Sequence, residues 1–443
     1  MATVRWIGNA LPVQQVTTIT IAGTWATGDI ATVTMNGKDI SITIGTDATT
    51  TAVALALQEA ISGTDQTGTG DHTFSVTNGQ TIPEFREVTA TVASAVLTLT
   101  ADTLVGKPFT VTTSETTAST DGVVGTPSTT TAATGPHHFD NADNWSTGSV
   151  PVDADDIWFD SGSVSCLYAL SQSSVTPSSI NVTMGFTGSI GLPETNTDTS
   201  GYSYREYRDT YLALGESGDA TNISVNIGNG PGQGSGRIKI ANGTSQATVN
   251  VRSTGQASET GVPAFLWKGT AATNVFNITK GDAGIGFFAD DAATVATLRV
   301  GYQTNQLGDS SVACGEGVTL TTVNVTGGEL ITRSAVTTAN VNGGELTHAE
   351  GTLGTLNLDG GQCIYRSDGT MTTANVGSGG VLDFRQDMRA RTVTNCNLYD
   401  GSSYYDPNGT VTHTNGIDLV RCEAGDLANF RHAPHVTISF SSI

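Results

Sequence analysis

From Val318 to Val411 apolar and polar residues alternate in short runs broken by glycine pairs, which is the period-2 signature of β-strands joined by tight turns. The run Leu320-Thr-Thr-Val-Asn-Val325 carries the strand pattern. Val-Asn-Val-Thr-Gly-Gly-Glu-Leu at 323–330 returns as Ala-Asn-Val-Asn-Gly-Gly-Glu-Leu at 339–346 and as Leu-Asn-Leu-Asp-Gly-Gly-Gln-Cys at 356–363. It comes back as Ala-Asn-Val-Gly-Ser-Gly-Gly-Val-Leu at 374–382, and more loosely as Cys-Asn-Leu-Tyr-Asp-Gly at 396–401. Asn324, Asn340, Asn357, Asn375 and Asn397 are spaced 16, 17, 18 and 22 residues apart. That is too short for a helical-hairpin repeat and suits one coil of a β-solenoid. The Gly-Gly pair lets the backbone turn through positive φ, stacked coils share one apolar interior, and asparagines at equivalent positions can form an amide ladder that holds register. Loose Thr/Asn/Gly hairpins of a β-sandwich are the alternative reading of the same pattern.

Weaker copies extend upstream: Ile180-Asn-Val182, Val225-Asn-Ile227, Val249-Asn-Val251, Phe276-Asn-Ile278 and Leu298-Arg-Val300. Asn229–Gly236 and Gly301–Gly317 then read as insertions projecting from one side. The expected fold class is mainly β, with a small N-terminal α+β module followed by a right-handed parallel β-helix. The expected division is a small α+β module at 1–113, a Thr/Ser/Gly-rich linker at 114–136, a solenoid with its N-terminal cap at 137–432, and a closing strand at 433–443. Within the module, strands are predicted at 16–22, 30–35, 39–44, 86–92, 95–100 and 108–113. Asn36-Gly37 forms a hairpin turn, and a helix is capped near Thr49 or Thr50 and stopped at Gly63. The cap reading rests on His137–Pro151, with its Trp145, followed by the acidic segment Asp153–Asp156.

Composition sharpens this picture at two points. The chain has 443 residues, with 19 basic against 41 acidic side chains and a formal charge of −22, which argues against direct nucleic-acid binding. The N-terminus lacks the apolar core of a secretory signal, and no stretch reads as a membrane span. Cys166, Cys314, Cys363, Cys396 and Cys422 are odd in number and scattered, forming neither a disulfide framework nor a CxxC metal pattern. Cys363 stands where other repeats carry Leu330, Leu346 and Leu382, so it reads as a small core residue. Seven N-x-S/T sequons are explained by the abundance of Asn and Thr.

Four constellations invite a chemical reading. His137 and His138 with Asp140 and Asp143 can be drawn as a metal site, but neighbouring residues on a strand face opposite ways. Asp153, Asp155, Asp156 and Asp160 offer oxygen ligands for calcium without the spacing of an EF-hand loop. Glu329 and Glu345 fall at one place in successive repeats, at a separation that suits a glycosidase pair, yet Gln362 breaks the row. Asp383, Arg385, Asp387, Arg389 and Arg391 read as a self-neutralising surface more than as a saccharide groove. No catalytic residue, cofactor or metal ligand is therefore assigned.

The front of the chain resembles a module of tailed-phage structural proteins. The resemblance lies in Gly-Thr-Trp-x-x-Gly-Asp at 23–29, the hairpin, the Ala-rich helix, and Leu-Thr-Leu-Thr-Ala followed by Gly-Lys-Pro-Phe within 97–109. It covers residues 17–113 and implies a particle-building role with no catalytic residues. Cysteine usage suited to a reducing cytoplasm, combined with the build of an extracellular fibre, fits a virus particle assembled inside a bacterium. The expectation is a non-enzymatic virion structural protein, head decoration first. A tail spike or fibre binding or cleaving host polysaccharide is the alternative, and a cellular adhesin the third. Its partners would be other virion proteins and further copies of itself, a trimer being favoured, with neither direct nucleic-acid contact nor membrane insertion. An aromatic-lined groove beside paired carboxylates would favour the spike.

Overall fold

The repeats come out as strands of one long parallel sheet. The structure is a computed structural model that describes residues 2–64, 71–102, 105–117, 121–198, 200–215, 222–228, 237–254, 261–302 and 310–441. Among the described residues twenty-five strands belong to this sheet, and successive equivalent strands pair one repeat along. One ladder runs from Asp156–Phe159 through Ser179–Val182, Ile223–Ile227, Ala247–Val251 and Val275–Ile278 to Ala293–Val300 and Val318–Val325. A second runs from Leu212–Leu214 through Ile238–Ala241, Phe265–Lys268, Gly281–Ile285 and Ser310–Cys314 to Glu329–Thr332. The two meet in the 13-residue strands Val336–His348 and Leu353–Tyr365. All five upstream copies fall in register with the later ones.

The turns show why the sequence keeps its glycine pairs. Gly344 and Gly361 sit at φ +71° and +70°, and a Cβ on either would lie 2.4 Å from the carbonyl oxygen of the glycine one repeat before. Any other residue would collide with backbone, which cannot yield as a side chain can. Inside, Leu330, Leu346, Cys363 and Leu382 form one column in which no member exceeds 1% exposure. The column expected from the repeat alignment is present, with Cys363 as its small member.

The asparagines form the ladder that their spacing allows. The Nδ2 of each of Asn340, Asn357, Asn375 and Asn397 donates to the Oδ1 of the asparagine before it, at 3.0, 2.8, 2.9 and 2.8 Å. Asn226, Asn250 and Asn277 do the same in the upstream strands, at 3.0, 3.1 and 2.9 Å. Arg299 continues this upstream run by donating to Asn277 at 2.9 Å. A guanidinium only donates, so it cannot accept from Asn324, and the ladder has a polarity break there. Each amide bond adds about 1 kcal/mol and penalises a slip of register.

Beside the leucine column runs an aromatic one, in which the rings of His348, Tyr365, Phe384, Tyr404 and Phe430 follow one another at 5.2, 5.8, 5.6 and 6.2 Å. His348 donates from Nε2 to the Gly351 carbonyl at 3.1 Å, so its bare Nδ1 accepts the Thr332 hydroxyl at 2.8 Å. Burial lowers the His348 pKa to about 4 although the Gly351 carbonyl opposes it, and burial lowers that of His413 to about 4 against the pull of Asp406. Both rings stay neutral in the fold while the unfolded chain takes up protons below its ordinary value of 6.5. Stability is therefore complete above pH 6.5, falls as pH drops toward 4, and loses no more from these groups below that. The loss is about 3 kcal/mol for each ring. Urea midpoints measured across this window should fall, and His348→Phe should flatten the slope; an unchanged slope would remove His348 from the account.

The amino-terminal module is two antiparallel sheets around one helix. Val16–Ala22, Val88–Ala93, Val96–Ala101 and Ser128–Thr131 form one sheet with Val123–Val124, while Ile30–Met35, Lys38–Thr43, Thr73–Phe74 and Val111–Thr116 form the other. The helix Thr50–Ser62 is capped by the Thr49 hydroxyl and closed by Gly63, and it buries Val53, Leu57 and Ile61 against both sheets.

Two boundaries differ from the sequence reading. The segment 114–136 is no free linker: its strands at 111–116, 123–124 and 128–131 pair with the first two long strands of the module, because its threonines suit a strand as well as a loop. The module does not begin at residue 1 either, since Thr3–Arg5 pairs in parallel with Asp156–Trp158 of the long sheet. The module is thus an insertion between two adjacent strands of that sheet, entered and left where Val13 bridges Thr134. Of the expected insertions, Asn229–Gly236 lies outside the described residues, and Gly301–Gly317 contains the strand Ser310–Cys314. At the other terminus Ile438–Ser441 is a strand paired with Ile417–Val420, and residues 442–443 lie outside the described part. An aromatic cluster of Trp6, Phe139, Trp145, Phe159 and Phe186 fills the amino-terminal end of the sheet, with ring separations of 4.9–6.0 Å.

Candidate functional site at the junction

A buried charge cluster lies where the module meets the sheet. Glu87 ends the 3₁₀ turn Pro83–Glu87, and Lys107 follows the strand Val96–Ala101. From the long sheet a hairpin, Thr195–Thr197 with Ser203–Arg205, brings Tyr204, Tyr207 and Arg208 against them. The Glu87 carboxylate accepts from Tyr207 at 2.8 Å and from Arg208 at 3.2 Å, and also from Lys107 and Tyr204. Arg208 holds Glu206 at 3.0 Å through Nε, so two acids face two bases. Burial, with the Glu87 carboxylate, raises the phenol pKa values of Tyr204 and Tyr207, and burial lowers that of Lys107 against the pull of Glu87. Both phenols thus remain donors throughout the neutral range. Nearby, Arg86 pairs with Asp198 at 3.3 Å and stacks on Tyr202 at 4.3 Å.

Chemically, this cluster clamps two bodies together. Its carboxylates and bases satisfy one another. A cavity of about 420 Å³ lies alongside, lined by Phe109, Tyr168, Leu170, Gln172 and Tyr207 with Asp140 and Asp209 among its walls. Sequence reasoning missed the clamp because Glu87 and Arg208 stand 121 residues apart, and neither sits in a motif.

The constellations weighed from the sequence are placed as follows. His137 donates to the Ser165 carbonyl at 2.8 Å and His138 to that of Gly106 at 2.5 Å, so the two rings serve different partners. Asp140 lies 3.6 Å from His138, and Asp143 is in the short turn Ala142–Asn144. Asp153 accepts from the Thr176 amide at 2.8 Å, Asp155 from the Ala2 amide at 2.8 Å, Asp156 from the Ser179 hydroxyl at 2.7 Å, and Asp160 pairs with Arg5. These four acids serve four separate partners. Among the described residues no group of three or more His, Cys, Asp or Glu side chains is placed to hold a metal ion. No helix among them is long and apolar enough to cross a membrane.

Glu329 and Glu345 do stand side by side in register, with Gln362 next in the row. The charged run at 383–391 pairs both of its aspartates within itself. Arg385 holds Asp383 at 2.7 Å, Arg389 holds Asp387 at 3.0 Å, and Arg391 turns inward to the carbonyls of Tyr365 and Asp387, both at 2.6 Å. Burial alone would raise the Asp383 pKa, but the Arg385 hydrogen bonds hold it below the usual carboxylate range.

No protein-family model matches this chain, and no curated protein or solved structure matches it significantly.

Proposed function

We propose that the stacked repeats are the coils of a right-handed parallel β-helix, and that the chain is a non-enzymatic structural component of a phage particle, a head decoration protein first. Parallel strands that each pair with the next repeat, with a leucine column inside and an amide ladder outside, support the helix. The observation that carries the particle reading is the joining of two rigid parts. A module with the pattern of tailed-phage structural proteins is clamped through Glu87 and Arg208 to a long arm. Such a clamp transmits the orientation of an anchor to the arm, which a protein that decorates a surface requires. The protein would occur in several copies among other virion proteins, assembled in the host cytoplasm.

The alternative, a tail spike or fibre acting on host polysaccharide, draws support from the cavity that sets Tyr168, Tyr207 and Phe109 beside Asp140 and Asp209. Mass spectrometry of purified particles should find the protein, and joining Val13 to Thr134 through a short link in place of the module should abolish its incorporation. Normal copy number of that shortened chain would place the anchor in the arm. Depolymerisation of host polysaccharide by the purified protein, lost in Asp140→Asn with Asp209→Asn, would put the spike ahead.

A further inference from the structure

Two side-chain columns run along the outward face of the first ladder. One is the asparagine column, and the other, two residues earlier on each strand, runs from Ser179 to Asn395 through Thr322, Thr338, Thr355 and Thr373. Ten successive strands contribute, and every one of these positions is half-buried, shielded by the repeats above and below. Across these ten strands Arg299 is the one charged residue of both columns, in a chain whose formal charge is −22, and the columns run into Asp156 at one end and Asp418 at the other. The outward row of the second ladder is not clear, since it carries Glu329, Glu345 and Asp383.

We infer that this uncharged strip is the contact surface for a second copy of the same chain. Like-charge repulsion opposes self-association of so acidic a chain, and it is weak across a strip that carries no acid. The strip also has the size required. Ten strands about 4.8 Å apart and about 13 Å across give roughly 600 Å² per copy, or about 1,200 Å² in all, which clears the threshold for a specific interface. Threonine methyls offer apolar contact, and the amides of Asn340, Asn357, Asn375 and Asn397, each donating once along the ladder, have a second N–H and a second lone pair for a partner. The ladder fixes these groups in advance, so little side-chain entropy is lost on contact. The inference names the surface for the self-association proposed above, and it does not depend on the particle reading.

Sedimentation of the full chain should show association at micromolar concentration. Thr338→Glu with Thr355→Glu places like charges on the strip outside the amide ladder, and should weaken association about tenfold or more with an unchanged melting curve. Thr352→Glu, an exposed position off the strip, adds the same charge and should change nothing. In the unmodified protein, hydroxyl-radical labelling of the strip should fall as concentration rises from low to high micromolar, which decides the matter even if the double variant folds poorly. A monomer at every concentration, association undiminished in the folded double variant, or labelling of the strip that ignores concentration would each overturn the inference. Loss of association with normal particle incorporation would leave the particle reading standing and remove self-contact from it.

Discussion

Leu346→Asp is expected to lower the free energy of unfolding by about 4 kcal/mol or more. Leu346 is fully buried between Leu330 and Cys363 in the interior column. A carboxylate there has no cation and only the weak Cys363 thiol as a donor in its column, and no route to water, so it must either ionise without a counter-charge or take up a proton at neutral pH. Both cost free energy, and the methyl contacts of leucine are lost as well. Because each repeat is supported only by its neighbours, the damage extends to the strands on either side. Leu346→Met keeps the volume and should cost less than about 1.5 kcal/mol. Denaturant midpoints distinguish the two variants, and an aspartate variant as stable as the parent would remove the column from the core.

Glu87→Ala should act at the junction with comparable force, about 3–5 kcal/mol, the range found when one partner of a buried ion pair is removed. The side chains of Glu87 and Arg208 are only 6% and 8% exposed. Without the carboxylate, Lys107 and Arg208 face each other with Glu206 as the counter-charge, and two phenols lose their acceptor. The strand Thr3–Arg5 still tethers the module to the sheet, so the expected result is a loosened hinge with both bodies folded. Small-angle scattering should report a broader spread of dimensions, and proteases should reach the hairpin 195–205. Glu87→Gln with Lys107→Met removes one charge of each sign and should recover part of the loss. Scattering and melting identical to the parent would show that the clamp contributes nothing to orientation.

Much of the long sheet is legible in the chain itself. The phrases at 323–330, 339–346 and 356–363 align with one another, and their alignment predicts the register found between Asn324, Asn340 and Asn357, and between Leu330, Leu346 and Cys363. The helix of the module is legible for a different reason: its Thr49 cap and Gly63 stop are local signals. The segment 114–136 misleads because strand and linker share a composition of threonine, serine and glycine, and only a partner strand decides between them. The chemically suggestive acids mislead as well. Proximity in sequence puts Asp153, Asp155, Asp156 and Asp160 in one group, while the fold sends each to a different neighbour.

What the sequence by itself determined is whatever repeats or is read within a few residues: the strand period, the glycine turns that no side chain fits, the leucine column and the asparagine ladder. These follow because a one-residue slip would turn every apolar side chain outward and break every amide bond at once. Tertiary structure alone decided how the module joins the arm. Thr3–Arg5 crossing to Asp156–Trp158, and Glu87 meeting Arg208, each occur once and join residues more than a hundred apart. Such contacts leave no period in the chain, and their stability comes from burial that exists only once both bodies have folded.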